Sequence, residues 1–326
     1  MEKKLTDISY MRVLAMLMVV LFHSYYVYIG TWPFNAPEIG SYNLLCECLH
    51  RIDMNIFVFI SGFLYYTLRY HEGKYKNSRN FVLQKFRRLI VPYLFWGILQ
   101  LLLFHLGWES IFNGSLHLWF LLMMFWMFLC IRLMERFNMI KSSNLYFDIL
   151  LFFGFTCIFF LQKIMHLHPN FLSLSRLANY FPGFFLGYLF AKHDLANRFK
   201  NSNRLALVGG GVFLSVSILI VSTAIQDHSN LVSRFISYVI IIFLLLLFKS
   251  INLKRYSIIE SLDKYSMGIY IIHHIVIWLT LSQEPILCYA NGHVLLFPIM
   301  IFFVSITVSW LCSWLISKSL FRFTIG

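Results

Sequence analysis

Charged side chains are scarce in this sequence: they make up 13% of its 326 residues, whereas hydrophobic residues make up 59%. A soluble globular domain carries about 25% charged residues, so this chain lacks the polar surface that such a domain presents to water. It also lacks a long polar segment between its apolar runs, which excludes an appended soluble catalytic domain. The composition therefore predicts one membrane domain over residues 1–326, in which any chemistry takes place among the helices.

Apolar runs of about 18 residues or more recur from end to end, and runs of that length cross a bilayer as helices. They predict an all-α bundle of about ten transmembrane helices. The predicted spans are residues 10–30, 52–70, 89–106, 117–134, 145–165, 177–191, 205–223, 233–248, 265–282 and 293–317.

Acidic residues are also few, with 14 Asp and Glu against 27 Lys and Arg. Such an excess of base is found in nucleic-acid-binding proteins, but its placement here favours a membrane explanation. With the N-terminus inside, all but four of the 27 basic residues lie in cytoplasmic segments or at inner helix ends; the exceptions are Arg51, Lys163, Arg176 and Arg234. Basic residues concentrate on the cytoplasmic side of membrane proteins. The count therefore predicts that both termini are cytoplasmic and that nucleic acid is not a partner.

Clusters of cysteine and internal repeats are missing as well. The six cysteines are scattered, and the pair Cys46 and Cys48 has no companions of the kind that a metal site needs, so we expect structural or incidental roles for them and no metal. No matching pair of Gly- or Pro-broken segments occurs, of the kind that marks many transporters. An exporter or flippase of a surface glycan stays an alternative, since it too needs many spans with polar groups facing a central path.

Ionisable side chains within a span cost roughly 2.5–3.5 kcal/mol on insertion scales, so each of them calls for a reason. Arg12 and His23 lie eleven residues apart in the first span, which amounts to three helical turns and places both on one face, roughly 16 Å apart along the axis. One interpretation is an ordinary helix-end anchor at Arg12 and a hydrogen-bonded core histidine at His23. His273 and His274 lie midway along the ninth span, where neither reaches water easily.

A basic cluster opens the third span, where Lys85, Arg87 and Arg88 run directly into apolar residues. Such a cluster ordinarily sets the topology and attracts anionic lipid. Its alternative is an anion site, because the planar fork of Arg binds phosphate through two hydrogen bonds.

Several segments together resemble the bacterial membrane-bound acyltransferase-3 family. They follow in the family's order: Arg12 with His23, Ile56–Leu64 (IFVFISGFL), Lys85–Pro92, His117–Leu121 (HLWFL), Tyr180–Tyr188 (YFPGFFLGY) and Tyr265–His273 (YSMGIYIIH). Within the family, the stand-alone architecture looks most like the enterobacterial common antigen O-acetyltransferase and the intercellular adhesin acylation proteins. Asn55 departs from the pattern, since many members carry Asp or Pro there.

The resemblance implies transfer of an acyl group to a hydroxyl of an envelope polysaccharide or its lipid-linked precursor. The implied donor is acetyl-CoA or another short acyl-CoA, and the implied location is the bacterial cytoplasmic (inner) membrane. The partners are the glycan acceptor and membrane lipid.

The same resemblance makes His23 the catalytic residue. It either takes the proton from the sugar hydroxyl as a base or first receives the acyl group itself. Such a base works best with a pKa near the working pH, and histidine is the side chain nearest to that. The donor's phosphates are expected at Arg12, Lys85, Arg87 and Arg88. Asn55, Trp119, Tyr270 and His273 are candidates for contacting the substrate or the oxyanion.

Overall fold

The structure is a computed structural model that describes residues 5–140, 144–165, 171–198, 209–212, 214–218, 220, 230–251 and 253–326. It is 83% helical, and the residues within these ranges contain no β-strand. The predicted all-α class is therefore confirmed.

Thirteen helices have bounds within the described residues. In chain order they are α1 (Thr6–Tyr25), α2 (Gly40–Tyr66), α3 (Ser78–Lys85), α4 (Val91–Leu103), α5 (Glu109–Asn113), α6 (Trp119–Arg136), α7 (Leu145–Ile164), α8 (Leu174–Lys192), α9 (Leu195–Arg198), α10 (Asn230–Ser250), α11 (Ser257–Leu281), α12 (Glu284–Gly292) and α13 (Phe297–Ser317). Five-residue π-helical turns follow α2 (Thr67–His71) and join α3 to α4 (Phe86–Ile90).

Four helical stretches are long and apolar enough to cross a membrane, among the residues described: Thr6–Ile29, Ser78–Leu103, Glu109–Arg136 and Phe297–Ser317. A fifth is counted if α11 and α12, which meet at 91°, form one broken span. The predicted spans 145–165, 177–191 and 233–248 lie on α7, α8 and α10, and the predicted span 52–70 overlaps the second half of α2. The seventh, 205–223, lies partly outside the described residues. The count of ten and the cytoplasmic termini stay predictions.

The chain divides into two compact units, with one boundary within α2 and another within α13. The first comprises residues 1–57 and 199–315, and the second comprises residues 58–198 and 316–326. In the first unit, α1 packs along α11 through a buried apolar cluster of Val13, Met16, Val20, Tyr265 and Ile269. This contact brings the helices that carry His23 and His273 side by side.

In the second unit, α2 and α8 approach each other through a reciprocal pair of glycines. A Cβ atom placed at Gly62 would overlap the carbonyl oxygen of Phe184, and one placed at Gly187 would overlap that of Phe59. Small residues at such positions let two helix backbones come close, which is the usual means of packing helices in lipid. Two of the segments that carry the family resemblance, Ile56–Leu64 and Tyr180–Tyr188, therefore meet at this crossing.

Buried acids neutralise the basic side chains at two places in the second unit. Glu135 on α6 accepts hydrogen bonds from Arg132, at 2.6 Å, and from Tyr70, at 3.1 Å. Asp148 on α7 is fully buried and lies 2.6 Å from both Lys192 Nζ and His193 Nε2. These acids hold part of the second unit's positive charge in fixed positions within the fold.

Candidate functional site

His23 lies near the end of α1 and is buried, with 8% of its surface exposed. Its Nδ1 is 2.9 Å from the carbonyl oxygen of Val19, one helical turn earlier. A carbonyl oxygen only accepts hydrogen bonds, so Nδ1 of His23 carries the proton and donates it. The Nε2 atom is then the basic nitrogen of this imidazole.

His273 on α11 faces His23 and is fully buried. Its own Nδ1 is 3.1 Å from the carbonyl oxygen of Ile269, which assigns the proton of this ring to Nδ1 by the same reasoning. Its Nε2 lies 3.3 Å from Nδ1 of His23. The two assignments are consistent, since the N–H of His23 is shared between Val19 O and the lone pair of His273 Nε2. The pair is thus a histidine whose orientation is set by a second histidine.

Aromatic rings surround this histidine pair within the first unit. The ring of Phe22 lies 4.8 Å from that of His23 in an edge-to-face arrangement, and the ring of His274 lies 5.3 Å away. Trp32, in the segment after α1, packs against His274 with its ring centroid at 4.9 Å. Such walls exclude water, which strengthens hydrogen bonds at the histidine pair.

Arg12 forms an ion pair with Asp263 on α11, at 2.7 Å, and Ser9 donates to the other carboxylate oxygen at 2.8 Å. Arg12 and His23 thus both contact α11, as the shared face predicted from their spacing requires. Asp263 was not among the predicted site residues. In the sequence, Asp263 is only an acidic residue just before the ninth predicted span. Its partner Arg12 lies 251 residues away in the chain, so no local pattern links the two.

Tyr270 and Asn55 lie in the first unit and are both buried. The Tyr270 ring centroid is 6.0 Å from that of His273, which places it beside the histidine pair. Asn55 donates from Nδ2 to the carbonyl oxygen of Arg51 on its own helix, at 2.8 Å. Their roles towards an oxyanion stay predictions.

The basic cluster lies in the second unit, and its members differ in environment. Lys85 is half-buried and points into aromatic rings, with Nζ 3.8 Å from the ring centroid of Phe128 and 5.1 Å from that of Tyr75. Such contacts hold a cation by the ring quadrupole. Arg87 and Arg88 are exposed on the π-helical turn Phe86–Ile90, a type of turn that is frequent at functional sites.

Trp119 opens α6 in the second unit and is half-buried. The guanidinium of Arg176 lies over its indole at 4.7 Å, and the ring of Tyr180 is 5.6 Å away. The histidine pair belongs to the first unit and Trp119 to the second. The contact of Trp119 with the substrate stays a prediction.

A family model described as an acyltransferase domain matches residues 5–318 of the chain. No curated protein and no solved structure matches the chain. The match covers α1 to α13, and so includes every helix that carries a predicted site residue.

Proposed function

This chain belongs to the membrane-bound acyltransferase-3 family, and we propose that it moves an acetyl group from cytoplasmic acetyl-CoA to a hydroxyl of an envelope polysaccharide or of its lipid-linked precursor. Membership of the family makes it a membrane acyltransferase. The observation that carries the finer proposal is the buried pair of His23 and His273, because transfer to a hydroxyl needs a base in a site shielded from water.

In the proposed reaction, Nε2 of His23 takes the proton from the acceptor hydroxyl as its oxygen attacks the carbonyl carbon of the thioester. The bond from this carbon to sulfur then breaks, and the thiolate of CoA leaves. The proton on Nε2 passes to the thiolate, so that the products are the acetyl ester and CoA with a free thiol. General-base catalysis of this kind contributes about 10²–10⁴-fold to a rate.

A second route uses the same nitrogen as a nucleophile, so that the acyl group rests on His23 before it reaches the sugar. Mass spectrometry of protein quenched during turnover separates the two routes, since only the second leaves an acyl group on residue 23.

His273 is proposed as a positioning residue for this base. When His23 holds the acceptor's proton, its ring is a cation, and the lone pair of His273 Nε2 faces the N–H of that ring at 3.3 Å. Its Nδ1 is already bonded to Ile269 O, which favours this role over donation to an oxyanion. Asn55 and Tyr270 remain the proposed sources of oxyanion stabilisation.

Replacing His273 by Leu is expected to lower kcat about 10- to 100-fold, because a hydrogen bond to a charged group contributes about 1.5–3 kcal/mol. The acceptor KM should change little, since His273 contacts the base and not the sugar. His273→Gln keeps an acceptor oxygen and should recover part of the loss. Equal activity of the Leu and wild-type proteins would mean that His23 is oriented by Val19 alone.

Among the predicted donor ligands, Arg87 and Arg88 are proposed to bind the phosphates of acetyl-CoA. They are exposed, whereas Arg12 is paired with Asp263 and Lys85 faces aromatic rings. Their guanidinium forks suit phosphate oxygens better than a lysine does. Arg12 and Lys85 are proposed as supporting ligands of the same polyanionic donor.

Replacing both Arg87 and Arg88 by Gln is expected to raise the KM for acetyl-CoA more than the KM for the acceptor, since only the donor carries several phosphates. A double replacement by Lys should restore binding only in part, because Lys lacks the bidentate fork. Initial-rate kinetics on purified protein measure both constants. The control is Arg79→Gln, an exposed arginine on α3. Unchanged donor kinetics in the folded double variant would assign the pair to lipid anchoring.

The proposed acceptor is a surface glycan, as the resemblance to the common antigen and adhesin branches implies, and the proposed location is the inner membrane. Mass spectrometry of the surface glycan from a parent strain and a deletion strain tests the proposed acceptor. The parent glycan should carry acetyl esters that the deletion strain lacks and that the cloned gene restores. Identical glycans in the two strains would overturn the proposed acceptor.

A further inference from the structure

We propose that Asp53 and His50 on α2 form a subsite that hydrogen-bonds the hydroxyl groups of the acceptor sugar beside the histidine pair. The inference rests on the proposed function, because it gives the acceptor of that reaction a place to bind. Neither residue was among the predicted site residues.

Asp53 stands out because it is fully buried without a full set of hydrogen-bond partners. Its Oδ1 accepts from the backbone N–H of the next residue, Met54, at 2.5 Å. Its Oδ2 has no hydrogen-bond partner among the described residues. Buried polar groups are nearly always hydrogen-bonded, and an unpaired one needs an explanation such as a ligand.

No guanidinium or ammonium group neutralises Asp53 among the ion pairs of the described residues. The basic residue nearest to it in sequence, Arg51, pairs with Glu47 at 3.4 Å. The imidazole of His50, one turn before Asp53, lies with its Nδ1 3.9 Å from Oδ1. A carboxylate in this setting calls for hydrogen-bond donors.

The position of Asp53 on α2 points it towards the histidine-bearing helices. Residues 46, 50, 53 and 57 share one helix face, since they recur at intervals of three and four. Cys46 donates to the carbonyl oxygen of Phe22 at 3.8 Å, and His50 stacks on the Phe22 ring with centroids 5.2 Å apart. At the other end of this helix face, the ring centroid of Phe57 lies 6.4 Å from that of Tyr270.

Asp53 is thus flanked along its helix by residues that contact α1 and α11. Phe22 is also the direct neighbour of His23 in the chain, and their rings meet at 4.8 Å. The carboxylate therefore lies on the face of α2 that is turned to the proposed base.

The chemistry of the subsite selects the acceptor and not the donor. The carboxyl group of Asp53 can exchange hydrogen bonds with neighbouring hydroxyls of a sugar, whereas it offers no positive charge to the phosphates of acetyl-CoA. Access comes through His50, whose side chain is 48% exposed. The subsite thus begins at an exposed imidazole and ends at a buried acid.

The test measures KM values for two substrates, with acetyl-CoA as donor and, as acceptor probe, unacetylated glycan isolated from the deletion strain. Asp53→Asn keeps the size of the side chain but replaces one acceptor oxygen by an NH2 group. We expect the KM for the glycan to rise about 10- to 100-fold, because a buried hydrogen-bonding group left without its partner costs about 1–3 kcal/mol. The KM for acetyl-CoA should change less than about twofold. The matched control is Glu47→Gln on the same helix, whose side chain is 58% exposed; it should leave both constants unchanged.

A second variant, His50→Ala, covers the case in which Asp53→Asn fails to fold, since His50 is half-exposed and its loss leaves no buried gap. It too should raise the glycan KM and spare that for acetyl-CoA. The inference is overturned if wild-type protein turns over acetyl-CoA while both variants keep the wild-type glycan KM, or if they lower kcat with both KM values unchanged. Wild-type protein that turns over no acyl-CoA would instead overturn the proposed function itself.

Discussion

Replacing His23 by Gln is expected to lower the rate of acetyl transfer by about 10²–10⁴-fold, the usual contribution of a general base. Gln keeps hydrogen-bonding capacity at this position, including a donor for Val19 O, but takes up no proton near neutral pH. His23→Ala should fall to the same level. The measurement is the steady-state rate with purified protein, acetyl-CoA and unacetylated glycan.

Neither variant should hinder insertion, because removing one polar group from a long apolar helix makes insertion no harder. A matched control is His293→Gln, an exposed histidine just after α12, which should leave the rate unchanged. If His23→Gln keeps the wild-type rate, His23 is a structural hydrogen-bonding residue and the proposed mechanism is wrong.

The second large effect is on the fold. Gly62→Ala is expected to lower the amount of folded protein in the membrane. The added methyl group would overlap the carbonyl oxygen of Phe184 on α8, and backbone atoms cannot give way as a flexible side chain does. Overpacking of a tight contact costs about 1–3 kcal/mol. This is a sizeable part of a typical free energy of unfolding, which is about 5–15 kcal/mol. Gly187→Ala should act alike, because it overlaps Phe59 at the same crossing.

Thermal unfolding in detergent measures this effect, together with the yield of monodisperse protein. The control is Gly154→Ala on α7, where an added Cβ meets nothing within 4 Å; it should be neutral or slightly stabilising, since Ala is the better helix former. The pair should be non-additive, because both changes force the same two helices apart. An unfolding temperature of Gly62→Ala equal to that of wild type would contradict the close crossing of α2 and α8.

The helical class follows from composition alone, because in lipid every backbone group must be satisfied within a helix or a closed barrel. Long apolar runs without alternation select the helix, and the structure confirms it. The number of spans does not follow as firmly. Helix α2 carries Glu47, Arg51 and Asp53, so part of the predicted second span belongs to a helix whose first turns are polar.

The shared face of Arg12 and His23 could be predicted, since it depends only on helical periodicity. Their partners could not. Asp263 and His273 lie on a helix about 250 residues later in the chain, and only tertiary packing decides which of many helices is the neighbour. The tautomer of His23 likewise depends on contacts with Val19 O and His273 that periodicity does not specify.

The different environments of the three basic side chains at the start of the third span could not be predicted from the sequence. Lys85, Arg87 and Arg88 look equivalent as closely spaced cations, yet Lys85 faces aromatic rings while the arginines are exposed. A five-residue π-helical turn begins directly after Lys85 and carries the two arginines. Nothing in the local residue pattern predicts such a turn.

Acyl transfer by the isolated protein is the most direct test of the central claim. Purified protein is reconstituted into lipid vesicles with unacetylated glycan and acetyl-CoA labelled in its acetyl group, and both the label in the glycan and the free thiol of CoA are followed. We predict that label enters the glycan in step with release of CoA, and that His23→Gln abolishes both. Folded wild-type protein that consumes no acetyl-CoA, yet carries glycan across the bilayer, would contradict acyl transfer and identify an exporter.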